Sequence, residues 1–255
     1  MINDFTLRSW LQALLELFFP RFCLVCGKKR SLDERHICSH CLEDLPRTYY
    51  SKMSRNRMAD RLNAFIQRDL DVGQSLRGDG PVPYSYATAL FFYRAGTGYR
   101  DITKHLKYHG DLSAGRYFSE MLADELVSSD LYSDVDVVIP VPLHWTRRWS
   151  RGFNQAEVIA SVLARRLGAS LREDVLSRRR KTKTQTRLSL EGKAANVAGA
   201  FMVNKGVKLT GCSHVLIVDD VFTTGSTVHE CYKALRSLCP PNTRISVATL
   251  ACVGD

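Results

Sequence analysis

The chain has 255 residues, which allows one full α/β domain plus a smaller module. Hydrophobic residues are 45% and charged residues 24%, the balance of a globular protein. The formal net charge of +10 points to acidic partners such as nucleic acid, phosphates or an anionic surface, although solubility alone would also account for it. The apolar opening from Trp10 to Pro20 carries Gln12 and Glu16 and is too short and too charged to span a membrane. There is no signal-peptide pattern and no even disulfide framework among the eight cysteines, so the expected setting is a reducing cytoplasm.

In chain order, residues 4–19 read as an amphipathic helix ended by Pro20. It either packs on its own domain or docks on a partner or membrane surface. Next come Cys23-x-x-Cys26-Gly27 and Cys38-x-x-Cys41, two pairs with eleven residues between them. Each pair forms a tight turn that aims two thiolates at one point. Four thiolates close a tetrahedral zinc site with no open position, so Cys23, Cys26, Cys38 and Cys41 are expected to hold structural zinc. Core thiols and a redox pair are the alternatives, and His36 or His40 is a lesser candidate to replace one ligand.

Arg47, Lys52, Arg55, Arg57 and Arg61, interleaved with Tyr49, Tyr50 and Phe65, form a basic run with helical character around 53–68. It reads as a solvated helix face, with a nucleic-acid contact as the sharper alternative. Asp71–Tyr86 reads as a linker or long loop. The expected units are therefore 1–46, a helix and zinc knuckle; 47–86, a basic linker or insert; and 87–255, an α/β domain.

In that domain the pattern predicts strands at 88–93, 135–139, 201–203, 215–219 and 244–252, with a short one at 174–176. Helices are predicted at 98–108, 112–127, 153–167 and 227–238, and Arg178 to Leu190 reads as a basic loop. Strands alternating with helices indicate a parallel sheet with right-handed crossovers.

The most informative stretch is Val215–Thr227. Four aliphatic residues suit a strand buried on both faces, Asp219 and Asp220 follow, and then Thr223-Thr224-Gly225-Ser226-Thr227 opens a helix. A helix N-terminus offers backbone N–H groups and partial positive charge to a phosphate. Thr223, Thr224, Ser226 and Thr227 add hydroxyl donors, Gly225 lets the backbone approach closely, and the acidic pair can face the hydroxyls of an attached sugar. An ordinary capped crossover does not explain two carboxylates followed by this loop.

The stretch resembles, over its whole length, the 13-residue phosphoribosyl pyrophosphate (PRPP) motif of type I phosphoribosyltransferases. The resemblance implies a type I phosphoribosyltransferase-like parallel sheet. Thr223, Thr224, Gly225, Ser226 and Thr227 would hold the 5′-phosphate, and Asp219 and Asp220 would be the catalytic pair, on the ribose hydroxyls or on Mg²⁺ through water. Such a site also needs donors for pyrophosphate, and Pro140-Val141-Pro142-Leu143 follows an earlier buried strand where they are required. Arg178, Lys181, Lys183 and Arg187 belong to a basic loop expected to act as a lid over the anion.

Further matches narrow the resemblance. They are the Cys23–Cys41 knuckle, Leu106-Lys107-Tyr108-His109-Gly110-Asp111, Pro140–Leu143, Arg151-Gly152-Phe153-Asn154-Gln155-Ala156, Thr182-x-x-Gln185 with Leu188, and Asn196-Val197-x-x-Ala200-Phe201. Together with the PRPP motif they are similar, in order and spacing, to the ComF family of competence and DNA-utilisation proteins. That family implies a PRPP-binding, phosphoribosyltransferase-like protein acting in DNA uptake, natural transformation or DNA utilisation. It also implies partners such as a competence helicase and a single-strand-protecting protein. Read as a binding module, the chain would act through its basic surfaces and zinc knuckle, with single-stranded DNA as a direct ligand. Active phosphoribosyl transfer in nucleotide or nucleobase metabolism is the alternative. The chain departs from the family in lacking a second cysteine group after Leu45-Pro46, and in carrying Lys193 where arginine is usual.

Overall fold

The computed structural model describes residues 20–71, 82–93, 96–109, 111–179 and 198–254. The helix expected at 4–19, residues 72–81 of the expected loop, and Lys181, Lys183, Arg187 and Lys193 lie outside them.

Seven strands are described: β1 (Ala87–Tyr93), β2 (Val137–Pro140), β3 (Ser170–Leu171), β4 (Leu176–Arg178), β5 (Phe201–Val203), β6 (His214–Phe222) and β7 (Arg244–Val253). The helices are α1 (Ser39–Glu43), α2 (Arg57–Asp71), α3 (Arg100–Lys104), α4 (Leu112–Val127), α5 (Trp145–Arg151), α6 (Gln155–Leu167) and α7 (Ser226–Arg236), with a π-helical turn at His105–His109 after α3. Five strands form one parallel sheet in the order β1-β7-β6-β2-β3, and β4 pairs antiparallel with β5 beside it.

Successive strand residues point to opposite faces, so the aliphatic run of β6 serves two cores at once. Val215 and Ile217 join Val137, Ile139, Ile245 and Val247 under α2 and α7, which contribute Leu62, Ile66, Val228 and Leu235. Leu216 and Val218 join Val138, Ala248 and Leu250 under α4 and α6, which contribute Phe118, Leu122, Ile159 and Leu163. Each such aliphatic side chain contributes roughly 1.5–3 kcal/mol on burial. Asp136 aligns β2 with β6 at their amino ends: its Oδ2 accepts from Ser213 N at 2.6 Å, Ser213 Oγ at 2.7 Å and His214 N at 3.0 Å. Burial pushes the Asp136 carboxyl up, but these donors more than offset it and hold it below the usual carboxylate range.

The outer edge of β1 is covered by the chain that leaves the cysteine module. Phe92 N donates to Pro46 O at 2.8 Å, Thr48 N to Leu90 O at 3.2 Å, and the Thr48 hydroxyl to the Ala89 carbonyl. These bonds satisfy groups that an exposed edge would offer to other chains. The basic run continues into α2, whose Met58, Ala59, Leu62 and Ile66 are buried while Arg57 and Arg61 stay outside. The helical character expected at 53–68 thus begins at Arg57 and has a core-facing stripe.

Several expected boundaries move for identifiable reasons. The strand expected to end at Asp219 continues to Phe222, because β7 keeps pairing with it through Val221↔Ala251 and Phe222↔Cys252. The helix expected at 98–108 is α3 followed by the π turn. The helix expected from Phe153 starts at Gln155, where Asn154 caps it by accepting from Ala156 N at 3.2 Å. A helix, α5, occupies Trp145–Arg151, where the pattern predicted none. His144 caps it, its Nδ1 accepting from Thr146 N at 3.3 Å. Arg178, expected in a basic loop, is on β4, in register with Phe201. Among the described residues no helix is long and apolar enough to cross a membrane.

Candidate functional site: a carboxyl-edge crevice and a four-cysteine cluster

The last pair between β2 and β6 is Pro140↔Val218, after which Val141 N donates to Val218 O at 2.8 Å and the two chains part. β6 runs on, paired with β7 alone, so Asp219 and Asp220 stand beside the gap. The connection after β2 carries α6 over one face of the sheet, and the connection after β6 carries α7 over the other. The crevice between β2 and β6 is therefore the switch point at which open α/β sheets collect ligands.

Asp219 and Asp220 point to opposite faces, as neighbours in a strand must. Asp220 is buried, and its Oδ2 lies 2.7 Å from Lys107 Nζ on the π turn. Burial alone would favour a neutral Lys107 amine, but Asp220 and Asp219 raise it above its ordinary value and keep it charged. Asp219 is half-buried, and its Oδ1 accepts from Asp220 N at 2.8 Å. Burial first, and the Asp220 charge second, push its carboxyl up to about 7, while Lys107 and Arg178 pull it down. Burial lowers Arg178 from its ordinary value, Arg147 lowers it further, and Asp219 opposes both. Its guanidinium lies 5.0 Å from the centre of the Phe201 ring. Arg151 acts electrostatically on Lys107 from the same edge. Four cations, Lys107, Arg147, Arg151 and Arg178, thus act on a centre that holds two carboxylates.

The hydroxyl–glycine loop closes the end of β6. Gly225 adopts φ +85°, and a Cβ there would meet Phe222 Cζ at 2.7 Å. Only glycine lets the chain turn so tightly over that ring. Thr224 and Ser226 are buried and share a hydroxyl–hydroxyl bond of 2.8 Å, and Ser226 N donates to Thr224 Oγ1 at 3.4 Å. Thr223 and Thr227 are half-buried. The α7 N-terminus behind the loop brings the N–H groups of its first turn, which have no intrahelical acceptor. Arg61, from α2, reaches over the loop and donates through Nη1 to Thr223 O at 3.3 Å.

Pro140–Leu143 borders the same crevice. Val141 is buried, and its carbonyl accepts from Asn154 Nδ2 at 3.0 Å. Pro142 and Leu143 line a cleft with Trp145, Arg148, Leu176 and Arg178. Asn154 therefore links this loop to the start of α6, which gives Arg151-Gly152-Phe153-Asn154-Gln155 a structural reason. Arg178 acts electrostatically on Asp219. The structure does not describe the remaining expected lid residues. Lys107 and Arg61 were not expected at the site. In the sequence, Lys107 stands out only as part of the Leu106–Asp111 match.

The cysteine module packs against the segment that leads into α3. The ligand atoms of Cys23, Cys26, Cys38 and Cys41 lie within 4.8 Å of one another, and Cys26 Sγ is 3.8 Å from Cys38 Sγ. A tetrahedron with metal–sulfur bonds of about 2.3 Å has edges of about 3.8 Å, so this donor set fits a zinc ion. Cys23 Sγ accepts from Val25 N and Cys38 N, both at 3.4 Å. Burial raises the Cys23 thiol, but backbone donors bring it down to about 7, while burial and the neighbouring thiols raise Cys41. The two histidines are engaged elsewhere: His36 Nδ1 lies 3.5 Å from Asp111 Oδ2, and His40 Nδ1 lies 3.0 Å from Asp44 Oδ2. The module grips the segment bearing Lys107. A Cβ on Gly98 would lie 1.9 Å from Val25 O, and Tyr99 donates to Cys41 O at 3.1 Å.

The fold and site thus define a class: an α/β protein with a crevice at the carboxyl edge of a parallel sheet, joined to a four-cysteine cluster. No protein-family model matches the chain. It is 38% identical over 103 residues to "Competence protein F" of Haemophilus influenzae, covering 40% of this chain and 45% of that protein. It is 41% identical over 95 residues to "DNA utilization protein YhgH" of Salmonella typhi, covering 37% and 40%. It is 26% identical over 147 residues to "Competence protein ComFC" of Streptococcus pneumoniae, covering 58% and 60%. Over these stretches the chain is similar to proteins named for competence and for DNA utilisation. The similarity spans less than half the length of the first two relatives.

Proposed function

We propose that this chain binds PRPP at the crevice between β2 and β6 and acts in DNA uptake, natural transformation or DNA utilisation. The observation that carries the reading is the overrun of β6. It sets an acidic pair beside a helix-N-terminal hydroxyl loop, with Lys107, Arg147, Arg151 and Arg178 around them. Phosphate fits the loop, ribose hydroxyls fit Asp219 and Asp220, and a pyrophosphate group fits the edge formed by Pro140–Leu143 and the cations. Mg²⁺ bound with PRPP would supply charge neutralisation for the pyrophosphate oxygens, and the acidic pair is the donor set that would face it through water. Zinc in the cysteine cluster is part of the proposal, as a structural ion with all four positions filled by protein. So is a reducing cytoplasmic setting, with a competence helicase or another DNA-uptake protein as partner.

Thermal stability measured with PRPP–Mg²⁺, ribose 5-phosphate and pyrophosphate separately tests the ligand. PRPP is expected to raise Tm more than either fragment, because it occupies both ends of the crevice. No shift with any of the three contradicts the site.

A second reading, active phosphoribosyl transfer, has one observation in its favour. A pocket lined by Tyr50, Arg57, Met58, Arg61, Phe92 and Phe222 adjoins the loop, and Arg61 joins pocket and loop through Thr223. It offers a planar acceptor a place among aromatic side chains. Pyrophosphate release in the presence of candidate bases distinguishes this reading from binding alone.

A further inference from the structure

Trp145 and Trp149 are the most exposed large apolar side chains among the described residues, with 70% and 88% of their surface in solvent. They are four residues apart on α5, hence on one face of the helix. Between and beside them are Thr146, Arg147, Arg148, Ser150 and Arg151, so α5 carries three arginines and no acidic residue. Arg148 also holds Glu157, Nη1 to Oε1 at 2.7 Å. Trp145 and Arg148 line the cleft that leads past Pro142 and Leu143 to Arg178, and Glu157 and Glu173 line it too.

We propose that α5 is a docking surface for single-stranded DNA, with bases stacking on Trp145 and Trp149 and phosphates following the α5 arginines. The inference rests on the DNA half of the proposed function and needs nothing from the PRPP half. A tryptophan face in water accepts an unpaired base of any sequence, and adjacent guanidinium groups follow the backbone. A protein-docking patch would surround such rings with further apolar side chains. Here their neighbours on the helix are hydroxyl and guanidinium groups, in a chain of net charge +10. A duplex keeps its bases stacked internally and offers these rings no face.

The chain has three tryptophans, so Trp10→Phe leaves fluorescence that reports on Trp145 and Trp149 alone. Titrating that protein with oligothymidylate at low salt is expected to quench the signal, and raising the salt should weaken binding. Trp145→Ala/Trp149→Ala should lower affinity by about 25-fold or more, from roughly fivefold or more per stacked base. Trp145→Phe/Trp149→Phe should recover part of it. Both side chains are exposed, so Tm should stay unchanged, and PRPP binding by the same variants reports separately on the crevice. Absence of quenching, equal affinity after the alanine substitutions, or equal affinity for duplex DNA would overturn the proposal. Binding of a protein partner lost in the alanine variant, with oligothymidylate affinity intact, would overturn it too.

Discussion

A methyl group at Gly225 would collide with the Phe222 ring in a backbone conformation that side chains rarely adopt. Gly225→Ala is therefore expected to cost about 1–2 kcal/mol of stability and to displace the phosphate loop, read as a lower denaturation midpoint and weaker PRPP binding. Asp219 makes a prediction about pH. Its carboxyl ordinarily titrates at 3.8, and burial with the Asp220 charge pushes it up to about 7 in the folded chain. Between these values the folded state holds a proton that the unfolded state has lost, so this group's contribution to stability falls as pH rises through that window. Asp219→Asn removes the effect. Its Tm relative to the parent protein should climb from about pH 4 to pH 7 and level off above. A difference that does not change with pH would show that Asp219 is not held protonated. Lys107 supports the same centre from the other face of the sheet, with its Nζ 2.7 Å from Asp220 Oδ2.

At the scale of elements, the decisive feature is that β6 is longer than β2. Had both ended at Val218, the acidic pair would lie in an ordinary turn. The aliphatic run, the acidic pair and the loop were legible in the sequence, because each rests on local chemistry and adjacent residues. The continuation to Phe222 was not, since it depends on β7 supplying Ala251 and Cys252 as partners, and cross-strand pairing leaves no local mark. The same reason hid Arg178, whose strand exists because β5 pairs with it. α5 was missed because its apolar residues are two exposed tryptophans, so no buried stripe announces it. The cysteine pairs were legible from spacing alone. What spacing did not show is that their module packs against Gly98 and holds Asp111 through His36, on the segment that carries Lys107. Metal analysis should find one zinc per chain. Chelation should raise hydrogen exchange around residues 98–113 well before it reaches the central strands β6 and β7, and equal loss in both regions would mean that the module is not a local clamp.

In the whole molecule, two cores on the two faces of one sheet enclose β6 from Val215 to Val218, and Phe222 joins one of them beyond the acidic pair. The positive charge that composition records as +10 has local destinations, at the crevice and along α5. Trp145 of α5 and Arg178 beside the crevice line one cleft together with Pro142 and Leu143. The central claim is that the crevice holds PRPP through Asp219 and Asp220. Calorimetric titration with PRPP–Mg²⁺ tests it directly, comparing the parent protein with Asp219→Ala/Asp220→Ala. Saturable binding by the parent and at least about a 30-fold loss in the variant are expected. Equal affinity of the two proteins would contradict that claim.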